Sequence, residues 1–430
     1  GNDINIIEAQ DTIEDIAVNV KRTQAVSGEK GNVVVDLIGA DKVNIGPDNT
    51  LKQVRMFDGN FEYLVYASCT IDDINVLNNI GLPNANISLI TVSGKIFGAG
   101  EIVADELVLS SALGIGNGPD MSSPMNINAN YLEAEATSIG SIYIRDYDSL
   151  TVRRASTLGG IIDIKAGGDL EIAKAESTAP LLTGLNDGDM DYFTEDNIVI
   201  GYIDAGNADI DLNTGDSVLT TPDPDIDIIA DEITIISGGT IGSGNANSDT
   251  AMDTDVNNLT AIAQNDVVID EVNDLVIGEV TSVNGDIYMN VGGNLTQDGD
   301  ASADIVSQGD VNLNIGGSMG DAANPIDTDV ENLHVDGEGP IYIDEKDDIS
   351  IDSQTDLLIG FLSADHVDLY TDYSINTPNF NVPNFSVNSV TAYAGNDIYL
   401  FNDKAITGDI TADTLYIKAF GGIDLITKIN

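Results

Sequence analysis

The segment from Gly285 to Thr296 reads GDIYMNVGGNLT and contains a four-residue phrase that recurs along the chain. The phrase is an Asp, Asn or Glu followed by an apolar residue, any residue and a second apolar residue, as in Asp286-Ile287-Tyr288-Met289. Apolar and polar residues that alternate with a period of two are typical of a β-strand with one buried face. Each copy therefore predicts a short strand.

Glycine precedes many copies, including those that begin at Asp286 and Asp310. Because glycine adopts the left-handed backbone conformation without steric cost, these glycines predict sharp corners in that conformation. No long apolar stripe with helical periodicity interrupts the pattern, so the sequence predicts an all-β protein. Other copies of the phrase begin at Asp3, Asp169, Asn197, Asp209, Asp225, Asp266, Asp274, Asp348 and Asp397.

A longer repeat contains several of these phrases. Residues 253–277 read DTDVNNLTAIAQNDVVIDEVNDLVI, and residues 327–351 read DTDVENLHVDGEGPIYIDEKDDISI. A more diverged copy occupies residues 126–152, and a Gly-rich lead precedes each copy. Repeats of this kind indicate a solenoid, and the short strands fit a parallel β-helix with rungs of about 20 residues. A propeller would need four-stranded blades, and the Leu-x-x-Leu-x-Leu frame of leucine-rich repeats is missing.

The rung sequence of residues 285–296 resembles that of filamentous-haemagglutinin-type bacterial exoproteins. Residues 324–333, which read NPIDTDVENL, and the following IYIDE of residues 341–345 resemble the longer modules of the same family. The resemblance covers residues 100–430. It implies a right-handed β-helix that is secreted or displayed on a bacterial surface, often with an adhesive role.

Two regions are predicted on this basis. Residues 1–100 hold nearly half of the 16 basic residues and the bulky run FDGNFEYLVY, so they predict irregular N-terminal rungs or a capping region. Residues 101–430 predict the β-helix with three copies of the longer module, at about 104–172, 230–296 and 308–375.

The charge of the chain excludes several partners. With 72 acidic and 16 basic residues, the net charge of -56 repels nucleic acid and anionic lipid headgroups. No apolar run is long enough to span a bilayer, so membrane insertion is not expected.

Two clusters of aspartates are candidate calcium ligands. The first is Asp187, Asp189 and Asp191, and the second is Asp223, Asp225 and Asp227. Calcium prefers several flexible carboxylate oxygens, although residues 187–198 do not fit the EF-hand frame. The alternative is that these aspartates are solvated corners that bind local backbone amides.

Residues 378–385 contain a five-residue echo, Pro-Asn-Phe, in which Pro378 and Phe380 are followed by Pro383 and Phe385. Proline cannot donate to a strand ladder, so this segment predicts a loop or bulged rung that protrudes as a contact element. The alternative is a loop with no binding role.

No catalytic residues are predicted. His334 and His366 stand alone in alternating strands, and Cys69 has no histidine near it in sequence. Carboxylates are so numerous that their presence does not identify a pair for general acid–base chemistry.

The sequence therefore predicts a noncatalytic extracellular structural protein, part of a bacterial surface fibre, filament or layer, with an adhesive role. The strand phrases continue to Leu425, so we expect self-association by end-to-end or lateral stacking. Cell-surface glycans or proteins are further expected partners, and Ca²⁺ is the expected ion. Two alternatives are a monomeric adhesin segment that binds a glycan and a β-helix enzyme, either a lyase or a glycosidase.

Overall fold

The structure is a computed structural model, in which side chains are described between residues 87 and 400, with gaps. The described backbone comprises residues 4–8, 33–40, 50–51, 60–67, 74–76, 80–81, 86–91, 94–117, 123–138, 140–177, 188–223, 225–244, 246, 248–299, 303–330, 332–345, 349–354, 357–371, 373–376, 385–394, 397–402, 406–412, 414–419 and 423–429.

The chain divides into two units, residues 1–215 and residues 216–430. Each unit is a β-solenoid of stacked rungs with about 20 residues per rung, as the sequence predicts. The part of the chain that the structure describes contains strands and no helix. The predicted boundary at residue 100 and the predicted module limits stay predictions.

The first unit contains strands β1 to β19. Their bounds are β1 Ile4–Glu8, β2 Val33–Ala40, β3 Thr50–Leu51, β4 Asn60–Ala67, β5 Ile74–Val76, β6 Ile80–Gly81, β7 Asn86–Thr91, β8 Ile96–Phe97, β9 Glu101–Ser111, β10 Met125–Ala136, β11 Ile142–Asp146, β12 Leu150–Thr157, β13 Ile162–Lys165, β14 Leu170–Ile172, β15 Ala175–Ser177, β16 Met190–Thr194, β17 Ile198–Ile200, β18 Ile203–Asp204 and β19 Ile210–Thr214.

The second unit contains strands β20 to β39. Their bounds are β20 Val218–Thr220, β21 Ile228–Ser237, β22 Met252–Ala263, β23 Val267–Glu271, β24 Leu275–Ser282, β25 Ile287–Val291, β26 Leu295–Gln297, β27 Ile305–Ser307, β28 Asp310–Ile315, β29 Ile326–Asp329, β30 Asn332–Gly337, β31 Ile341–Glu345, β32 Ile349–Ser353, β33 Leu357–Thr371, β34 Ile375–Asn376, β35 Phe385–Ala394, β36 Asp397–Asn402, β37 Ile406–Ala412, β38 Thr414–Ala419 and β39 Ile423–Ile429.

Strands pair in parallel with a strand of the next rung, so equivalent side chains stack in columns about 4.8 Å apart. In the second unit, one path of pairing runs from β25 through β28, β30 and β32 to β33. Its inward column is aliphatic and almost fully buried. That column is Ile287, Val311, Leu333, Ile351 and Leu369.

The Asp that opens each strand phrase binds the next rung. Asp266 Oδ1 accepts a hydrogen bond of 3.0 Å from the backbone N–H of Asp286, and Asp286 Oδ1 accepts one of 2.8 Å from Asp310. In a parallel column, Asp274 Oδ1 accepts one of 2.6 Å from the N–H of Asn294. The short Asp side chain thus satisfies a backbone donor at the corner where no strand partner does, much as it does at a helix N-cap.

The glycine before the phrase has a different role from the one predicted. Gly285 and Gly309 do not have a positive φ, so the predicted left-handed conformation is wrong at these corners. A Cβ at Gly285 would lie 2.3 Å from Asp266 Oδ1, and one at Gly309 would lie 2.2 Å from Asp286 Oδ1. Glycine is needed there because the corner passes directly over the carboxylate of the preceding rung.

The Gly-rich leads do contain left-handed glycines. Gly242 and Gly320 have φ values of 64° and 66°, and at each the position of a Cβ is blocked by the backbone carbonyl of a later rung. After Gly242 a loop leads to the start of β22, and after Gly320 a loop leads to the start of β29.

A buried carboxylate recurs at equivalent positions after these leads. Glu271 accepts hydrogen bonds from the Thr254 hydroxyl at 2.8 Å and from the Val256 N–H at 3.1 Å. Glu345 repeats the arrangement with Thr328 at 2.7 Å and Val330 at 3.2 Å. These carboxylates join two rungs from inside the coil, where an unpaired N–H would be costly.

Asp146 makes the corresponding contacts in the first unit. Its carboxylate accepts hydrogen bonds of 2.9 Å from the N–H groups of Ala129 and Asp148. Ala129 thus corresponds to Val256 and Val330 of the second unit, and the shorter Asp146 takes the place of the two glutamates.

Candidate binding face

The first predicted calcium cluster is only partly within the described residues, since Asp187 lies outside them. Asp189 is exposed, and its Oδ1 lies 3.5 Å from the N–H of Asp209. Asp191 belongs to β16, where the strand register stacks it between Asp163 and Asp211. Asp189 and Asp191 therefore follow the alternation of inward and outward side chains along the solenoid.

The second predicted cluster is a turn that ends at a buried carboxylate. Asp223 accepts hydrogen bonds of 3.0 Å from the Thr221 hydroxyl and from the N–H of Asp225. Asp227 is buried, and its Oδ2 accepts a hydrogen bond of 2.9 Å from the N–H of Asp253. Burial, together with repulsion from Asp253 and Asp223, raises the pKa of Asp227 to about 8.

Within the described ranges, no group of three or more His, Cys, Asp or Glu side chains has the arrangement of a metal site. The calcium sites therefore stay predictions. The predicted contact element lies mostly outside the described residues, since Pro378, Phe380 and Pro383 are not among them. Phe385 is the first residue of β35, and only its backbone is described.

A polar groove of about 560 Å³ lies on the outer face of strands β28, β30 and β32. Carboxylate, carboxamide and imidazole groups from successive rungs meet there, since the outward side chains of paired strands stack in columns. The residues that line the groove are Asp310, Val311, Asn312, Asn332, His334, Asp352 and Gln354.

His334 lies between two aspartates at this groove. Its Nδ1 lies 2.8 Å from Asp352 Oδ2, and its Nε2 lies 3.2 Å from Asp336 Oδ2. Burial opposes protonation, but the hydrogen bond and charge of Asp352, followed by the charge of Asp336, raise the pKa of His334 above its ordinary value. The ring is therefore held in a fixed orientation at the centre of the groove.

Two carboxamides in the groove differ from their neighbours. The amide of Asn332 donates to Asp310 Oδ1 at 3.2 Å, and the amide of Asn314 donates to Asn290 Oδ1 at 2.8 Å. The side chains of Asn312 and Gln354, by contrast, form no hydrogen bond with another described residue. The groove thus retains donors and acceptors that the inter-rung network does not use.

Tyrosines flank the groove along the same outward column. Tyr288 pairs in register with Asn312 on one side, and Tyr370 pairs with Asp352 on the other. Tyr370 stacks on Tyr393 with ring centroids 5.0 Å apart and an interplanar angle of 13°. Because one ring face of Tyr370 is covered by Tyr393, its other face is directed towards the rung of Asp352.

This groove is not evident from the sequence alone, in which His334 stands alone in an alternating strand. The signal is present as His334-x-Asp336 in one strand, with Asp352 one rung later. The strand register is needed to place these three residues together.

The part of the chain that the structure describes contains no helix long and apolar enough to cross a membrane. No protein-family model, no curated protein and no solved structure matches this chain.

Proposed function

We propose that this protein is a noncatalytic structural component of a bacterial cell surface, where its solenoid forms part of a fibre, filament or layer and its outer faces mediate adhesion. The observation that carries the proposal is the use of acidic side chains as connections between rungs. Asp266 and Asp286 each bind the backbone of the next rung, and Glu271 and Glu345 bind the backbone of the preceding rung from inside the coil.

This use of carboxylates explains the composition better than a catalytic role does. A catalytic pair needs two carboxylates placed about a substrate, whereas here the phrase places one carboxylate at the corner of rung after rung. Continuous backbone ladders reinforced in this way resist bending and local opening, which is what a scaffold requires. The outward negative charge keeps such a scaffold hydrated and separate from nucleic acid and anionic lipid.

The location is tested by immunogold electron microscopy of the cells that produce the protein, with antibody raised against the purified chain. Label on the outer surface or on attached filaments supports the proposal, and label confined to the cell interior overturns it.

Assembly is tested by negative-stain microscopy and fibre diffraction of the purified protein over a range of concentrations. Ordered filaments or layers with a reflection near 4.8 Å along the long axis support end-to-end stacking. Particles that stay single at every concentration would remove self-association from the proposal and leave the adhesive role.

A further inference from the structure

We propose that His334 is a proton-dependent link between the rungs of β30 and β32, which releases Asp352 towards solvent when the imidazole loses its proton. The link controls the shape and the charge of the polar groove on strands β28, β30 and β32. It is a property of this outer face, and it does not depend on whether the protein forms filaments.

Both ring nitrogens of His334 face a carboxylate. Nδ1 lies 2.8 Å from Asp352 Oδ2, and Nε2 lies 3.2 Å from Asp336 Oδ2. An ionised carboxylate only accepts hydrogen bonds, so both contacts are hydrogen bonds only when both nitrogens carry a proton. The imidazolium form of His334 therefore binds an aspartate of its own strand and an aspartate of the next rung at the same time.

The two aspartates are held differently. Asp336 Oδ1 accepts hydrogen bonds from the Ser353 hydroxyl at 3.0 Å and from the Gln354 N–H at 2.7 Å, which fix this carboxylate across the same junction. The side chain of Asp352 is 54% exposed, against 27% for Asp336. Among the described residues, only His334 lies within hydrogen-bond distance of the Asp352 carboxylate. Asp352 is therefore the partner that can leave.

Loss of one proton from His334 removes one of the two contacts. A neutral imidazole has one N–H and one lone pair, and a lone pair that faces a carboxylate is repelled by it. Because Asp336 is fixed, we expect Nε2 to keep its proton and Nδ1 to lose its own. Asp352 then turns towards solvent, and the groove opens on the side of β32 with one more uncompensated negative charge.

Acidic groups surround the ring on all three strands. Asp310 of β28 lines the groove with His334, Asp336 belongs to β30, and Asp352 belongs to β32. Burial of the ring opposes protonation, but the hydrogen bond and charge of Asp352, followed by Asp336, raise the pKa of His334 above 6.5. The link is therefore complete below pH 6.5 and is lost as the pH rises through the folded value.

The test is nitrogen NMR of the full chain labelled with ¹⁵N only at histidine, over a pH range from about 5 to about 9. The chain has two histidines, so the His366→Asn variant assigns the signals. We expect His334 to carry protons on both nitrogens at the acid end and on Nε2 alone at the alkaline end. A proton on Nδ1 alone at the alkaline end overturns the release of Asp352.

Asp352→Asn tests the partner of the ring. It keeps the size of the side chain and removes its charge, so we expect His334 to lose its proton at a lower pH than in the unmodified protein. Asp255→Asn is the matched control, because it neutralises another half-exposed aspartate of the same unit, one that accepts a hydrogen bond from the Asn273 amide outside the groove. The same titration midpoint of His334 in all three proteins overturns the proposal.

Hydrogen exchange supplies a readout in the unmodified protein, so it does not depend on how a variant folds. After correction for the intrinsic pH dependence of exchange, the amides of β30 and β32 should exchange faster relative to those of β25 as the pH rises through the midpoint measured for His334. A ratio between these strands that is constant across the midpoint would also overturn the link.

Discussion

Glu271, on the inside of the coil, accepts a 2.8 Å hydrogen bond from the hydroxyl of Thr254 in the preceding rung. Its carboxylate also accepts the N–H groups of Val256 and Asn273, which favours the charged form. Burial outweighs these bonds and raises the pKa of Glu271 to about 7. The connection between the two rungs is therefore sensitive to pH.

We expect the protein to be more stable near pH 5 than near pH 8. A carboxyl whose pKa is raised on folding binds its proton more tightly in the folded state, so its contribution is complete below the unfolded pKa and is lost as pH rises through the folded value. For Glu271 this window runs from about 4.5 to about 7, and for Asp146 from 3.8 to about 6. Urea denaturation at pH 5 and pH 8 measures the difference.

Glu271→Gln should flatten this pH dependence. Removal of a titration shifted by the amount seen at Glu271 changes the difference in unfolding free energy between pH 5 and pH 8 by on the order of 3 kcal/mol. Glu232→Gln is the control, because Glu232 is exposed on the same unit. A variant Glu271→Gln with the full pH dependence of the unmodified protein would show that Glu271 does not titrate in this range.

Gly285→Ala should destabilise the second unit. The added Cβ would lie 2.3 Å from Asp266 Oδ1 and 2.6 Å from the Asp266 backbone nitrogen, and the backbone cannot move without breaking the ladder. We expect a loss of about 1–3 kcal/mol in the free energy of unfolding, measured by urea denaturation.

Gly278→Ala is the matched control for that substitution. A Cβ there meets only side-chain oxygens, with Thr260 Oγ1 the nearest at 2.9 Å, and the Thr260 side chain can rotate away. The loss should therefore be smaller than at Gly285. Equal losses at both positions would indicate that close passage over Asp266 is not the reason for the glycine.

Asp286→Ala should also weaken the junction between rungs. It removes the acceptor for the Asp310 N–H and the partner of the Tyr288 hydroxyl, so we expect a loss of about 1–3 kcal/mol. Asp286→Asn keeps an oxygen that accepts the Asp310 N–H, and its stability should be close to that of the unmodified protein. If Asn is as harmful as Ala, the contribution comes from charge and not from the corner hydrogen bond. Thermal and urea unfolding of both variants decide between these outcomes.

The alternation of apolar and polar residues, together with the longer repeat, was enough to predict the parallel solenoid, because a period of two specifies which side chains share the inward face and the repeat indicates stacked rungs. Ile287, Val311 and Leu333 each occupy the second position of their strand phrase or its equivalent, and all are buried. The role of the corner glycines was not predictable in the same way. Glycine is favoured both where φ is positive and where the backbone passes close to another group, and the sequence does not distinguish the two. The position of Asp266 beneath Gly285 depends on the strand register.

The groove could not be predicted for a related reason. His334 and Asp352 are separated by almost one rung in sequence, and only the pairing of β30 with β32 brings them to 2.8 Å. The calcium clusters stay predictions. Asp191 lies in β16 and Asp189 directly precedes that strand, so the alternation of an extended chain is enough to account for their spacing in the sequence.

Calcium binding remains testable, and the acidic cluster at Asp223 and Asp227 is where it should act. An ion there would relieve the repulsion that Asp253 and Asp223 exert on Asp227, which contributes to its raised pKa. A ligand at a hundred times its dissociation constant stabilises the folded state by about 2.7 kcal/mol, so Ca²⁺ should raise the melting temperature relative to a chelator-treated sample.

Sodium chloride at equal ionic strength separates specific binding from general screening of the net charge. Asp223→Asn should abolish the calcium-dependent part if the ion binds there, whereas Asp189→Asn tests the first cluster. Equal melting temperatures with Ca²⁺ and with chelator at low salt would show that calcium does not stabilise this protein. These aspartates would then act only as hydrogen-bond acceptors at corners and between rungs.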